Sequence, residues 1–147
     1  MPDPIRRTAL TILNRLEHSH HTLDGILDPI IEAGLNFTRR DRNFIYALIH
    51  GTLRWRGRLD WVLAQVSKTP IQKMDPKVRN VLRLGLFQIL FMDRVPASAA
   101  VNTAVNLARM VAGPKVTGFV NAVLRNAIRR RETISCPDAT HNPEACL

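Results

Sequence analysis

The sequence predicts an all-α fold, and three observations support this prediction. Apolar residues recur along most of the chain with the three- and four-residue spacing that places side chains on one face of an α-helix. Capping residues and prolines precede several of these stretches, as expected at helix N-termini. The alternation of apolar and polar residues typical of a strand appears nowhere convincingly. With 147 residues, the chain is long enough to form one compact domain around a hydrophobic core.

The first predicted helix begins at Asp3-Pro4, with the aspartate as N-cap and the proline at the first helical position. Its apolar face contains Ile5, Ala9, Ile12, Leu13 and Leu16. A histidine-rich loop at residues 18–21 separates it from a second predicted helix over residues 23–31. Asp28-Pro29 should kink that second helix or start a new turn, because proline lacks the N–H that a helix interior requires.

Two further helices are predicted in the middle of the chain. Thr38 and Asp41 have the spacing of a capping box at the start of a long helix. Gly57 is expected to end this helix before another begins at Leu59. Trp55 falls on the apolar side of the long helix, which favours packing in the core over a role as a base-stacking platform.

The central element is predicted to be the helix that follows Asp75-Pro76 and runs to about Met92. It is apolar almost all round, so most of its surface must be buried against other helices. Its apolar run from Leu82 to Met92 is interrupted by Arg83 and Gln88 and is too short to cross a bilayer, which needs about 20 residues.

Two predicted helices complete the fold. Pro96 opens the first, and Gly113-Pro114 ends it. Residues 116–131 then combine an apolar face with a polar stripe that includes Asn121 and ends in three consecutive arginines. After Thr133 the sequence has no periodicity. We therefore expect one domain over residues 4–133 and a flexible tail or linker over residues 134–147.

The formal net charge of +9 indicates a polyanionic partner, and nucleic acid is the leading candidate. Arginine far outnumbers lysine, and a guanidinium suits bidentate phosphate contact better than an ammonium does. No signal peptide is visible, and the only cysteines, Cys136 and Cys146, lie in the last dozen residues. These features favour a cytoplasmic protein without a disulfide framework.

Neither a catalytic centre nor a metal site is predicted. The chain has no glycine-rich cofactor loop, and Cys136-Pro137 lies in a segment that cannot lower a thiol pKa. His18, His20 and His21 lack the spacing and the partner ligands of a metal site. We therefore expect no catalytic residue, no metal and no cofactor within these residues.

Four motifs carry a resemblance to a known family. They are GTLR at residues 51–54 followed by Leu59-Asp60, the run LRLGL at residues 82–86, Val95-Pro96, and GFVNAVLR at residues 118–125. Over residues 5–131 the chain resembles the NusB-like amino-terminal domain of the RsmB (Sun or Fmu) ribosomal RNA cytosine-5 methyltransferases. It departs from that family at Ser98 and Asn106, and residues 141–147 lack the tryptophan of the family's linker segment.

The resemblance implies a bundle of about seven helices that binds small-subunit ribosomal RNA. Methyl transfer from S-adenosylmethionine would take place in a methyltransferase domain outside this chain. In NusB-type domains the arginine-rich start of the first helix is an RNA-binding element, which points to Arg6 and Arg7. The charge stripe of the last helix adds further candidates for the same patch, namely Arg125, Arg129, Arg130 and Arg131.

Two other functions remain open, a free-standing NusB-like transcription antitermination factor and a protein-docking module whose basic stripe meets a catalytic domain.

Four residues also have structural interpretations. Arg56 could pair with Asp60, four residues later, and Gly51 and Gly118 could mark close helix crossings.

Overall fold

The computed structural model describes residues 3–18, 25 and 37–133, and every regular element in this part of the chain is helical. The α-helices are α1 (Pro4–His18), α2 (Arg39–Arg54), α3 (Arg56–Val66), α4 (Pro76–Phe91), α5 (Ala97–Ala112) and α6 (Thr117–Arg129). Short 3₁₀ turns at Ile71–Lys73 and Pro114–Val116 precede α4 and α6. The all-α prediction is confirmed. Apart from Gly25, the predicted second helix lies outside the described residues, as does the tail 134–147.

The predicted helix starts are confirmed where side chains cap them. The Thr38 hydroxyl accepts from the backbone N–H of Asp41 at 3.1 Å, and the Asp41 carboxylate accepts from that of Thr38 at 3.0 Å. This is the reciprocal arrangement of a capping box. Asp75 accepts from the backbone N–H of Lys77 at 2.8 Å, at the start of α4. Both caps satisfy N–H groups that a first helical turn leaves without partners.

The break after α2 occurs at Trp55, two residues earlier than predicted. Trp55 adopts φ −99° and ψ 15°, and α3 begins immediately afterwards at Arg56. Gly57, the predicted breaker, lies inside α3. The interruption is slight, because the N–H of Leu59 still donates to the carbonyl of Trp55 at 2.8 Å. The two helices are therefore joined by a single residue that ends one and starts the other.

The helix α4 is the central element, as predicted. It packs against each of the other five described helices. Every residue from Asn80 to Ile89 is buried. The pairs α1–α2 and α5–α6 also pack together, and α3 contacts both α2 and α6. The core therefore surrounds α4 on all sides, and the polar residues within its buried span need partners from the neighbouring helices.

Two glycines allow close approach around α4. A Cβ atom on Gly51 would lie 2.0 Å from the Phe87 ring, and one on Gly85 would lie 3.0 Å from Leu124. The predicted close crossing at Gly51 is thus confirmed. At Gly118 the prediction is wrong, because this exposed position has no atom within 4 Å of an added Cβ. Gly85, which carried no prediction, marks the crossing with α6.

Candidate nucleic-acid interface

The start of α1 is organised around the Asp3 carboxylate, which accepts from the backbone N–H groups of Ile5 at 3.0 Å and Arg6 at 3.3 Å. The Arg6 guanidinium pairs with the same carboxylate, and its Nε donates to Oε1 of Gln88 at 2.6 Å. The Arg6 side chain is 13 % exposed and also lies 5.2 Å from the centroid of the Phe44 ring. Arg6 therefore ties α1 to α2 and α4, and little of its side chain faces solvent.

Arg7 has a different environment from Arg6 although the two are adjacent in sequence. Its side chain is exposed, and no described residue accepts a hydrogen bond from it. Along α6, Arg125 and Arg129 are likewise exposed one turn apart. Nε of Arg125 donates to the Oδ1 atom of Asn121 at 2.9 Å, which holds the guanidinium along the helix. These three arginines present their charge to solvent.

A shallow, open depression lies beside the two exposed arginines of α6. Its lining consists of Ala122, Arg125, Ile128 and Arg129. The lining thus combines two apolar side chains with two arginines. A surface of this kind can contact a phosphate backbone without imposing a base preference.

The end of α6 supplies hydrogen bonds to the C-termini of two other helices. Nη1 of Arg130 donates to the carbonyl of Gln65 at 2.6 Å, and Nδ2 of Asn126 donates to that of Val66 at 3.1 Å, both in the last turn of α3. Arg131 donates to the carbonyl of Ile89 in the last turn of α4. The last carbonyls of a helix have no partner within it, and cations are favourable there. Arg130 and Arg131 therefore have a structural role.

The last turn of α4 is where the two basic segments approach each other. Arg6, from the start of α1, binds the side chain of Gln88. Arg131, just after the end of α6, binds the carbonyl of Ile89, which follows Gln88 in the sequence. The six predicted RNA-binding arginines thus fall into two groups. Arg6, Arg130 and Arg131 bind other helices, whereas Arg7, Arg125 and Arg129 have no such contact with described residues.

Asn126→Ala tests the bridge between α6 and α3. Removal of the amide leaves the Val66 carbonyl, at the last position of α3, without this donor. We expect the free energy of unfolding to fall by about 1 kcal/mol, the usual contribution of one such hydrogen bond. Urea denaturation followed by circular dichroism measures it. Ala122→Ser, on the exposed side of the same helix, is the control and should change stability by less than about 0.5 kcal/mol.

A stack of aromatic rings runs from the core to the surface at the junction of α2 and α3. Phe87 and Phe91 are stacked with ring centroids 5.5 Å apart, and Phe91 stacks on Trp55 at 5.0 Å. The Arg54 guanidinium lies over the Trp55 ring, 5.4 Å from its centroid. Trp55 is partly buried against the core, as predicted, whereas Phe91 is 36 % exposed. Spacing within α2 alone did not reveal the stack, because Phe87 and Phe91 belong to α4.

Arg58 lies four residues after Arg54 and lacks a compensating partner. Its Nη1 atom is shielded from solvent and has no hydrogen-bond acceptor among the described residues. Desolvation by burial lowers the pKa of Arg58 from its ordinary value. The group remains a cation at neutral pH, and its charge adds to that of Arg54 at this junction.

A buried ionic network holds α1, α3 and α4 together. Arg83 donates from Nε and Nη2 to the two carboxylate oxygens of Asp60, at 2.7 and 2.9 Å. Its Nη1 donates to Glu17 and Asn80, both at 3.1 Å. The predicted pair of Arg56 with Asp60 is therefore wrong. Asp60 instead neutralises the buried Arg83, while Arg56 is exposed and approaches Glu17 at 4.0 Å.

The described residues contain no group of three or more histidine, cysteine or acidic side chains that could hold a metal ion. Both cysteines, together with His20 and His21, lie outside them. None of the described helices combines the length and the apolarity needed to cross a membrane.

Comparison with known proteins identifies relatives of this chain. The chain is 41 % identical over 128 residues to ribosomal RNA small subunit methyltransferase B of Pseudomonas putida, covering 87 % of this chain and 28 % of that protein. It is 31 % identical over 100 residues to transcription antitermination protein NusB of Dictyoglomus thermophilum, covering 67 % of this chain and 69 % of that protein. The chain thus spans less than a third of the length of this methyltransferase.

The fold is also found in a solved structure, the crystal structure of antitermination factors NusB and NusE in complex with dsRNA. The superposition has a TM-score of 0.77 at 21 % identity and covers 85 % of this chain and 93 % of that one. A sequence model of the NusB family matches residues 3–129, which include all six described helices. The chain belongs to the NusB family.

Proposed function

We propose that this chain binds RNA as the NusB-like domain of a ribosomal RNA small-subunit cytosine-5 methyltransferase. It recruits or orients that RNA for a catalytic domain outside these 147 residues. The methyl donor of the parent reaction is S-adenosylmethionine, which the catalytic domain binds. The similarity to small subunit methyltransferase B and the coverage of less than a third of its length support this assignment.

The observation that carries RNA binding is the concentration of positive charge in the segment between Asp93 and Glu132. Between Asp93 and Glu132 the chain contains seven lysines and arginines and neither aspartate nor glutamate. Arg125 and Arg129 belong to this segment and flank the open depression on α6. A surface without carboxylates attracts phosphates strongly, and arginine forks can bind them in a bidentate manner. The affinity of such a surface depends on phosphate charge more than on sequence.

Within this proposal the arginines without an interhelical hydrogen bond contact RNA, and the arginines that make one position them. Arg7, Arg125 and Arg129 are the proposed phosphate ligands because they are exposed and donate to no other helix among the described residues. Arg6, Arg130 and Arg131 contribute charge from the neighbouring helix ends while they hold those ends in place. Contacts to phosphates from fixed helices favour recognition of RNA shape over sequence.

RNA titrations at several salt concentrations test the proposal. We expect the wild-type domain to bind a fluorescein-labelled helix of small-subunit ribosomal RNA, with an affinity that decreases steeply as salt rises. The triple variant Arg7→Ala, Arg125→Ala, Arg129→Ala should lose roughly two to three units of slope in log K against log salt, because each phosphate contact contributes about one unit. Fluorescence anisotropy measures both quantities.

Lys77→Ala is the matched control, since Lys77 is exposed at the first turn of α4, at the opposite end of that helix from the turn that Arg6 and Arg131 bind. Its slope should stay within half a unit of wild type. A wild-type domain without affinity at low salt, or a triple variant with an unchanged slope, would contradict the proposal.

Two other functions are alternatives to this proposal, and experiments can distinguish each of them from it. The similarity to a NusB protein covers 69 % of that protein's length, which favours a free-standing transcription antitermination factor. A reading frame that continues past Leu147 into a methyltransferase domain would exclude it. The basic face could instead dock a catalytic domain. In that case the triple variant would keep its RNA affinity and lose association with a methyltransferase domain supplied separately.

A further inference from the structure

We infer that the stack formed by Phe87, Phe91, Trp55 and Arg54 is a second nucleotide-binding element, which takes an unpaired RNA base on the Arg54 guanidinium. The inference rests on the proposed RNA-binding function and adds to it a preference for single-stranded segments. It concerns residues of α2, of α4 and of the junction between α2 and α3, none of which belongs to the arginine patch of α1 and α6.

The stack has the geometry of a platform. Three aromatic rings follow one another at 5.5 and 5.0 Å with interplanar angles of 26° and 18°. The guanidinium of Arg54 lies over the Trp55 ring, 5.4 Å from its centroid, and Arg54 is exposed. Arg54 is therefore the charged, solvent-exposed member of the stack. Unpaired bases in RNA stack on arginine planes as well as on aromatic rings, and arginine adds a cation beside the base.

The inner end of the stack makes the platform rigid. Phe87 is buried, and its ring lies directly against the backbone of Gly51, where an added Cβ atom would be only 2.0 Å away. Trp55 occupies the junction between α2 and α3, so helices fix it on both sides. Binding to a rigid group costs less conformational entropy than binding to a mobile loop, because the loop must first be ordered.

The composition of the surface favours a base over a protein partner. Within the described residues, the large hydrophobic side chains exposed to solvent are Phe91 on α4 and Met110 on α5. Two residues provide much less than the several hundred Å² of contiguous apolar surface that marks a protein interface. The stack instead includes the exposed guanidinium of Arg54, and Arg58, four residues later, has an Nη1 atom with no acceptor in the described part of the chain. A nucleotide combines the planar base and the negative phosphate that match these groups.

Tryptophan fluorescence can report on this element directly. The chain contains two tryptophans, Trp55 and Trp61, so the variant Trp61→Phe leaves Trp55 as the only emitter. We expect a single-stranded adenine octamer to change the Trp55 emission with a saturable dependence on concentration, because a base on Arg54 alters the environment of the ring beneath it. Circular dichroism establishes that the Trp61→Phe domain is folded.

Substitutions at Arg54 separate stacking from charge. Arg54→Lys keeps the cation and removes the plane, whereas Arg54→Ala removes both. We expect each to weaken binding of the octamer about fivefold or more, within the usual contribution of one stacked base. Lys77→Ala should change it less than twofold. An octamer affinity for Arg54→Lys within twofold of wild type, or an unchanged Trp55 emission at saturation, would overturn the inference.

The same variants distinguish this inference from the proposed function. If Arg54→Lys binds the ribosomal RNA helix with the wild-type salt slope and loses only octamer binding, both hold. If helix binding keeps its slope while the octamer leaves Trp55 unchanged in every variant, the inference alone fails. A Trp55 response to an added methyltransferase domain but not to RNA would assign the stack to protein docking and would equally overturn it.

Discussion

Arg83→Met is expected to lower the free energy of unfolding by about 3–5 kcal/mol, because it leaves Asp60 without its cation and leaves Glu17 with only Arg56 and Arg79, each 4.0 Å away. Arg83 is 3 % exposed on the central helix α4 and donates to Asp60, Glu17 and Asn80. Methionine approximates the length of the side chain, so the loss comes from unpaired polar groups more than from an empty volume. Removal of one partner of a buried ion pair is far more costly than loss of an exposed pair.

Urea denaturation of both proteins measures the effect, and Arg56→Met is the matched control. The side chain of Arg56 is 52 % exposed and approaches the same Glu17 at 4.0 Å, so its loss should change stability by less than about 0.5 kcal/mol. Asp60→Asn provides a milder variant if Arg83→Met does not fold, with an expected loss of about 1–3 kcal/mol. A stability of Arg83→Met within about 1 kcal/mol of wild type would contradict a structural role for the network.

Gly51→Ala is expected to destabilise the domain by about 1–2 kcal/mol, even though alanine is the better helix former. The added Cβ would lie 2.0 to 2.6 Å from three atoms of the Phe87 ring, which is itself buried and stacked on Phe91. Overpacking of this kind costs about 1–3 kcal/mol. Because the contacts at Gly51 are so short, we expect the upper part of this range, about 2–3 kcal/mol, which leaves a net loss after the gain of about 1 kcal/mol that alanine brings inside a helix.

Gly57→Ala is the control for this prediction. Gly57 is exposed within α3, and no atom lies within 4 Å of an added Cβ, so alanine there should be neutral or stabilising by up to about 1 kcal/mol. Phe87→Leu in the Gly51→Ala background should recover part of the loss, since the smaller side chain makes room for the methyl group. If Gly51→Ala proves as stable as Gly57→Ala in thermal denaturation, the close packing at Gly51 is refuted.

Local features of the sequence predicted most of the architecture. A capping box depends on residues three apart, and an N-cap with its proline depends on neighbours. The starts at Thr38 and Asp75 were accordingly found from sequence and are confirmed. The central position of α4 followed from its nearly continuous apolar surface, which only a helix surrounded by others can bury.

Long-range contacts explain what the sequence did not reveal. Arg83 binds Asp60 and Glu17 across 23 and 66 positions, so spacing suggested the nearer but incorrect partner Arg56 for Asp60. The same limit applies to the basic patch. Arg129 and Arg130 are adjacent and chemically identical, yet one is exposed and the other binds the end of α3. Which arginine meets solvent depends on which helix end lies nearby.

The motifs that carried the family resemblance now have physical roles, and these roles are mainly structural. Gly51 of GTLR receives the Phe87 ring, and Asp60 of the following Leu-Asp pair binds Arg83 of LRLGL. Gly85 of the same run lies against Leu124 of GFVNAVLR. Three of the motifs therefore touch one another around α4. These contacts identify the fold. The proposed RNA contacts instead use exposed arginines, of which Arg54 and Arg125 are the last residues of two of these motifs.

The hydrogen bonds from the end of α6 also bear on where this domain can be cut. The NusB family match ends at Arg129, yet the next two residues bind the last turns of α3 and α4. A recombinant domain trimmed at that match would keep all six described helices but lose the arginine that binds the Gln65 carbonyl of α3 and the arginine that binds the Ile89 carbonyl of α4. The smallest stable unit therefore extends past the last helix, at least through Arg131.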